Sequence, residues 1–320
     1  MGHAPGEDLD PSQVQAFLAS RFDPASREVE QVGAGAWSRC FGFQRGEQEL
    51  VVRFGQHLDD FRKDQLAAAF RTPELPIPTV LAIGEAFDGF YAVSTRVRGI
   101  PLESVSEAQW RSLVPALADA LEAMRLADVS ATAGFGGWDG EGRAVHAHWS
   151  EHLLSVSNDT PQQRTYGWRA RLASFHQGEE AWDWGIERLR RVASDVVPRC
   201  LIHGDLINRN MLVDGAAISG VFDWGCACYG DHLYDLAWFE FWEPWSPNLD
   251  TAALRSELER RWQQAGYTPH NYEERLMACH LHIGLDHLAY NAHLGDWATL
   301  AATADRMRAL AGGEGRPSMT

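Results

Sequence analysis

The sequence predicts an α+β fold in two lobes: a small antiparallel β-sheet lobe with one inserted helix, and a larger, mostly helical lobe. Three observations predict it. Over the first hundred residues, short β-branched and aromatic runs alternate with Gly-rich or polar turns. One helical pattern, at about 58–71, interrupts them. From Ser106 onward apolar residues recur at helical spacing, broken only by one hairpin-like pair of runs. A chain of 320 residues is long enough for two lobes with sizeable cores.

The elements follow in order. Asp10 before Pro11 reads as an N-cap with proline at the first helical position, and Val14, Phe17 and Leu18 supply the apolar stripe. "REVEQV", "SRCFGF" and "ELVVRF" read as strands. The helix at 58–71 is ended by Pro73, Pro76 and Pro78. "TVLAIGEAF" and "FYAVSTRV" complete a sheet of about five strands. A hinge near 95–99 divides the chain into lobes 1–97 and 98–320. Ser106 with Gln109 predicts a capping box, opening a helix that carries Trp110, Leu113, Leu117, Leu121 and Met124. Further helical patterns cover about 180–196, 231–243, 251–264 and 272–310. "NMLVD" and "ISGVFD" read as a hairpin inside this helical lobe, and "GGEGRPSMT" as a frayed tail.

Composition is that of a globular protein, 45% hydrophobic and 22% charged. The net charge of −16 repels nucleic acid and anionic lipid and attracts cations, so neither a nucleic-acid nor a membrane partner is expected. The five cysteines are odd in number and scattered, which is no disulfide framework. Cys226 and Cys228 form C-x-C without the second pair a zinc site needs. The first residues lack the apolar core of a secretion signal, and no stretch approaches 18 apolar residues. A monomeric cytoplasmic protein with free thiols is expected.

The chemistry is concentrated in "LIHGDLINRN", residues 201–210, and "SGVFDWG", residues 219–225. Phosphoryl transfer from a nucleotide requires a carboxylate for the attacking hydroxyl and hard oxygen ligands for magnesium. It also requires a cation on the phosphates and a loop over them. A protein-kinase catalytic loop places its base Asp five residues before a metal-binding Asn, and Asp205 and Asn210 have that spacing. Asp223 stands where the DFG aspartate would, in a "DWG" triplet that keeps Gly225. Either residue alone reads as a turn former. His203, Asp205, Asn210 and Asp223 together at kinase spacing favour chemistry. His203 itself reads as structural, packing the loop and bonding a carbonyl. "GAGAWSR", residues 33–39, lies between two predicted strands, where backbone amides and the Ser38 hydroxyl can meet phosphate oxygens. Arg53 in "ELVVRF" offers the phosphate cation and Asp64 on the inserted helix its acidic partner, with Lys63 a rival for the phosphates.

"LIHGDLINRNMLVDG" with "ISGVFDWGCACYGDHLYDLAWF" resembles the catalytic core of the aminoglycoside phosphotransferase (antibiotic kinase) superfamily. That core reads H-G-D-x-x-x-x-N, then I-D-[WF], then G-D-x-x-x-D-L-A. Within it, "FRKDQLAAAFRTPELPIPTVLAIGEAFDGFYAVSTRVRGIPL" and "GLDHL" are most similar to the hygromycin branch. The resemblance implies a bilobal protein-kinase-like fold that uses ATP or GTP with magnesium. By position, Asp205 matches the catalytic base, and Asn210 and Asp223 the magnesium ligands. Ser94, Thr95 and Val97 match the hinge whose backbone receives the adenine, and Asp231 and Asp235 the brace of the catalytic loop. Two positions depart from the family: Arg53 replaces the usual Lys and Asp64 the usual Glu.

The implied reaction is transfer of the ATP γ-phosphate to an aminoglycoside hydroxyl, of the hygromycin B 4-O type, giving antibiotic resistance. Kinases of a macrolide, a choline-like compound or a sugar metabolite, or a nucleotide-binding pseudokinase, are the alternatives. Aminoglycosides are polycations, so the acidity gains a second reading. Glu240, Glu243 and Asp286 are expected to line an acceptor cleft. Trp238, Trp242 and Trp245 are placed to stack on sugar rings, although Trp238, inside an amphipathic helix, reads better as core.

Overall fold

The structure, a computed structural model, describes residues 9–34 and 38–312. Its helices are α1 (Pro11–Arg21), α2 (Leu58–Ala67), α3 (Glu107–Leu126), α4 (Trp149–Leu154), α5 (Trp168–Leu172), α6 (His176–Val192), α7 (Leu233–Trp242), α8 (Thr251–Gln264), α9 (Tyr272–Leu294) and α10 (Trp297–Ala311). Its strands are β1 (Ser26–Ala34), β2 (Ser38–Arg45), β3 (Gln48–Gly55), β4 (Val80–Ala86), β5 (Gly89–Thr95), β6 (Ile100–Pro101), β7 (Phe135–Trp138), β8 (Ala144–His146), β9 (Cys200–Ile202), β10 (Met211–Asp214), β11 (Ala217–Val221) and β12 (Cys228–Gly230).

The chain forms two compact units. One comprises residues through Val105 together with Trp138–Arg143 and Ile207–Ala227; the other holds Ser106–Gly137, Ala144–Leu206 and the chain from Cys228. The first unit is built on an antiparallel sheet in the order β1-β2-β3-β5-β4, the five strands that the alternating runs predict. Phe41 and Phe43 of β2, with Leu50, Val52 and Phe54 of β3, bury one face against Val14 and Leu18 of α1. Period-2 alternation therefore turns Arg53 to the opposite face. The predicted Asp10 cap is present, accepting the Ser12 and Gln13 amides at 2.8 and 2.9 Å.

A single cut after residue 97 does not describe this unit. β6 pairs with β10, Leu212 opposite Pro101 and Val213 opposite Ile100, giving a three-stranded sheet β11-β10-β6. The hairpin expected in the helical lobe therefore groups with the five-stranded sheet in one unit, whose first segment runs to Val105.

In the second unit, Ser106 and Gln109 form the predicted capping box of α3. The helical pattern read across 272–310 is two helices. Gly295, at φ +75°, ends α9 in the left-handed conformation that glycine adopts without penalty. Asp296 then caps α10 by accepting the Thr299 amide at 3.1 Å. A second correction concerns strands. β8-β7-β12-β9 form a four-stranded sheet in what reads as a helical region. At three or four residues each, partly glycine, these strands are too short to show a period. Among the described residues all five cysteines are free, and no helix is long and apolar enough to cross a membrane.

Candidate active site

In the first unit, the residues expected at the phosphates meet at α2. Arg53 and Asp64 form an ion pair, both side chains 14% exposed, and Arg53 Nη1 lies 3.5 Å from Asp223 Oδ1. The guanidinium sits 4.8 Å from the centre of the Phe61 ring, a cation–π contact that helps offset its burial. Burial opposes the Arg53 charge, but the Asp64 and Asp223 carboxylates outweigh it and hold the proton more tightly than usual. Burial pushes Asp64 up to about 6 against the pull of Arg53, with Asp223 adding to the rise.

Two successive α2 side chains also hold the turn after Asp223. Asp64 Oδ1 accepts the Trp224 amide at 2.8 Å, and buried Lys63 donates from Nζ to the Gly225 carbonyl at 2.8 Å. Asp223 itself adopts φ +64°, ψ 62°, uncommon for a residue with a side chain, and its carboxylate is 45% exposed. The Phe222 amide donates to the Asn210 carbonyl at 3.0 Å, so the hairpin brings Asn210 and Asp223 to the same end of β10 and β11. Asn208 and Arg209, both left-handed at φ 62° and 66°, turn the chain into that hairpin.

Ser38 opens β2 opposite Gly55, while residues 35–37 of the expected phosphate loop lie outside the described residues. Ser94 and Thr95 end β5 opposite Val51 and Leu50. The Thr95 amide is engaged by the Thr79 carbonyl at 3.0 Å, and its hydroxyl accepts the Thr79 amide at 3.0 Å. That amide is therefore committed to the sheet and is not a donor to a base. Val97 packs on Gly220, where an added Cβ would come within 2.8 Å of Val97 Cγ1.

In the second unit, Asp205 lies in the loop after β9, whose backbone is held by Asp235. The buried Asp235 carboxylate accepts the His203 amide at 2.9 Å and the Gly204 amide at 2.8 Å. Burial pushes its pKa up to about 6, while those two N–H groups pull the other way. His203 is fully buried, and its Nδ1 accepts the Asp205 amide at 3.2 Å. His203 packs inside the fold as expected, but the contact at its Nδ1 is a backbone amide where the sequence suggests a carbonyl. Asp231 forms a two-point ion pair with Arg275 at 2.5 and 2.7 Å, both buried, and accepts the Leu233 amide at 3.1 Å near the start of α7.

The three carboxylates of the expected acidic wall differ in their surroundings. Glu240 is buried, ion-paired with Arg255 and 2.9 Å from His280 Nε2. Burial works to raise its pKa, but His280 and Arg255 together hold it low. It is an internal counter-ion and does not line a cleft. Glu243 accepts from Thr251 Oγ1 at 2.8 Å and lies 3.4 Å from Arg306, while Asp286 is 60% exposed. Trp242 packs edge-on against His287 at 4.6 Å and against Trp245 at 5.2 Å. Asp286 Oδ2 lies 3.9 Å from His287 Nδ1 beside this aromatic cluster. Trp238 is buried as core, as expected, and Trp245 is exposed.

Arg275, Arg255 and His280 were not legible as site supports, since nothing local in α8 or α9 marks them. Their partners are distant in the chain, and only the fold pairs them.

The model of the phosphotransferase enzyme family matches residues 28–274. The hygromycin-B 4-O-kinase of Escherichia coli is 31% identical over 284 residues, covering 88% of this chain and 79% of that protein. A thermostable mutant of aminoglycoside phosphotransferase APH(4)-Ia, solved with AMP-PNP and hygromycin B, superposes with a TM-score of 0.80 at 27% identity, covering 95% of this chain and 100% of that one. The spectinomycin phosphotransferase APH(9)-Ia, solved with ADP and spectinomycin, shares the fold, with a TM-score of 0.59 at 11% identity over 95% of each chain.

Proposed function

This chain belongs to the phosphotransferase enzyme family, and we propose that it transfers the terminal phosphate of ATP or GTP to a hydroxyl of an aminoglycoside of the hygromycin B type. The observation that carries the reading is the Arg53–Asp64 pair set beside the half-exposed Asp223 carboxylate. A buried cation next to an accessible carboxylate suits a polyanionic nucleotide that arrives with a dication.

Magnesium fits the donors present. Asp223 offers carboxylate oxygens and Asn210 an amide oxygen, and magnesium takes one or two such protein ligands beside water and phosphate. When bound, it neutralises charge on the β- and γ-phosphates. Asp205 orients the acceptor hydroxyl and takes its proton, a role supported by its place five residues before Asn210 and by the Asp235 brace on its loop. Arg53 steadies the phosphates, with its charge secured by Asp64. Residues 94–97 receive the base, chiefly through groups other than the Thr95 amide. Glu243, Asp286 and the exposed face of Trp245 meet the acceptor, whose ammonium groups suit the carboxylates and whose sugar faces suit the ring. The resemblance to the E. coli hygromycin-B 4-O-kinase supports the choice of acceptor.

The test is magnesium-dependent consumption of ATP with hygromycin B, other aminoglycosides, a macrolide and homoserine in parallel, with mass spectrometry of the product. A gain of one phosphate on hygromycin B is expected. Turnover on the macrolide or homoserine alone would overturn the aminoglycoside reading.

A further inference from the structure

We infer that Lys63 is a positioning residue for Asp223: it anchors the Gly225 carbonyl so that the carboxylate is presented at a fixed place, and it does not grip the phosphates. The inference rests on the reading of Asp223 as a magnesium ligand. β11 ends at Val221, so Asp223 lies beyond the reach of the sheet ladder. Its left-handed conformation is disfavoured for a residue with a Cβ and persists only when the surroundings hold it. Those surroundings include α2. Asp64 takes the N–H of Trp224 and Lys63 donates to the C=O of Gly225, so two neighbouring side chains hold opposite ends of the turn that follows Asp223. Successive residues on a helix point about 100° apart, so the turn is gripped from two directions.

The environment of Lys63 argues against the rival role. Its side chain is 8% exposed, its Nζ donates to Gly225, and the ammonium lies 5.8 Å from the Trp138 ring. A buried ammonium needs partners of this kind, and here they are a backbone carbonyl and an aromatic face. Arg53, in contrast, is already within 3.5 Å of the Asp223 carboxylate.

The experiment measures nucleotide binding without turnover. A non-hydrolysable ATP analogue is titrated calorimetrically into wild type, Lys63→Met, Lys63→Gln and Lys63→Arg, with and without Mg2+, and Asp223→Ala serves as reference. Residues that orient a metal ligand typically contribute 10–100-fold to metal affinity. The gain in nucleotide affinity on adding Mg2+ should therefore fall about tenfold in Lys63→Met. Lys63→Arg, which keeps a donor for Gly225, should recover much of it, and affinity without Mg2+ should stay within about twofold. If Lys63→Met does not fold, Lys63→Gln against Lys63→Arg makes the same comparison. An undiminished Mg2+ gain in the Met and Gln variants would overturn the inference. So would an equal loss with and without Mg2+, which would mark Lys63 as a phosphate contact. If Asp223→Ala loses the gain while the Lys63 variants keep it, only this inference falls. If Asp223→Ala keeps the gain, the metal reading falls and takes this inference with it.

Discussion

Asp235→Asn tests the brace beneath the loop that carries Asp205, because it removes a charge without changing shape. In the wild-type protein the buried carboxylate accepts two backbone amides, from His203 and Gly204. Asn offers one acceptor oxygen, so one of those amides faces an NH2 group. A buried donor left without an acceptor costs about 1–3 kcal/mol. Against this, the substitution removes a charge that burial disfavours. The rise of the Asp235 pKa from 3.8 to about 6 is equivalent to about 3 kcal/mol. The two effects nearly cancel at pH 7 and separate as pH falls. With its pKa raised on folding, Asp235 takes up a proton in the folded state before it does in the unfolded chain. Its stabilising contribution is full below the unfolded value of 3.8 and is lost as pH rises through about 6. Between pH 7 and pH 4.5, wild type should therefore gain about 2 kcal/mol relative to Asp235→Asn. Urea unfolding of both proteins at the two pH values measures this difference, and titrations common to both cancel. Turnover at pH 7 should fall about tenfold or more, because a displaced loop misplaces Asp205, while nucleotide affinity is kept. A stability difference that does not change with pH would refute the argument.

Other expectations follow from the same contacts. Asp205→Asn should lower turnover about a hundredfold or more with nucleotide affinity kept, and near-normal steady-state rates would exclude Asp205 as the base. Arg275→Met leaves the buried Asp231 without its counter-ion and should cost about 3–5 kcal/mol in urea unfolding at pH 7; an unchanged midpoint would count against the pair as a structural anchor. Glu240→Gln should likewise destabilise the fold by leaving Arg255 short of its counter-ion, with the Michaelis constant for hygromycin B unchanged. For that acceptor the constant should rise between about 0.01 and 0.1 M salt, as the Debye length shrinks from about 30 to about 10 Å. Asp286→Asn should flatten the dependence, and a salt-independent constant would leave the −16 charge as solubility alone.

What was legible follows from where each constraint acts. The five-stranded sheet could be read because Phe41, Phe43, Leu50, Val52 and Phe54 alternate along single strands, and each strand carries its own period. β7, β9 and β12 could not, because three or four residues hold too little of a period to stand out. The grouping of segments into units is not local either. The pairing of β6 with β10 joins segments over a hundred residues apart, and no local pattern in either one announces it. The break between α9 and α10 was present in "LGDW", whose Gly295 and Asp296 are a stop and a cap, but apolar residues at helical spacing on both sides masked it.

The site divides along the same line. Asp205, Asn210 and Asp223 stand out because loop and hairpin chemistry constrains spacing along the chain, and that spacing survives in the sequence. Arg53 and Asp64 pair in the sequence through the kinase pattern, which sets a cation on the third strand and an acid on the inserted helix, and the two side chains do form an ion pair. The acidic wall carried no such constraint. Glu240 and Glu243 lie three residues apart on one helical end and look alike in sequence, yet one is buried and the other partly exposed. What separates them is Arg255 and His280, brought to Glu240 by α8 and α9. Charge in a sequence therefore marks a possible recognition surface only after the fold has claimed the carboxylates it needs as counter-ions. Of the three carboxylates in the expected wall, Glu240 is claimed in this way, while Asp286 is largely exposed and Glu243 partly so.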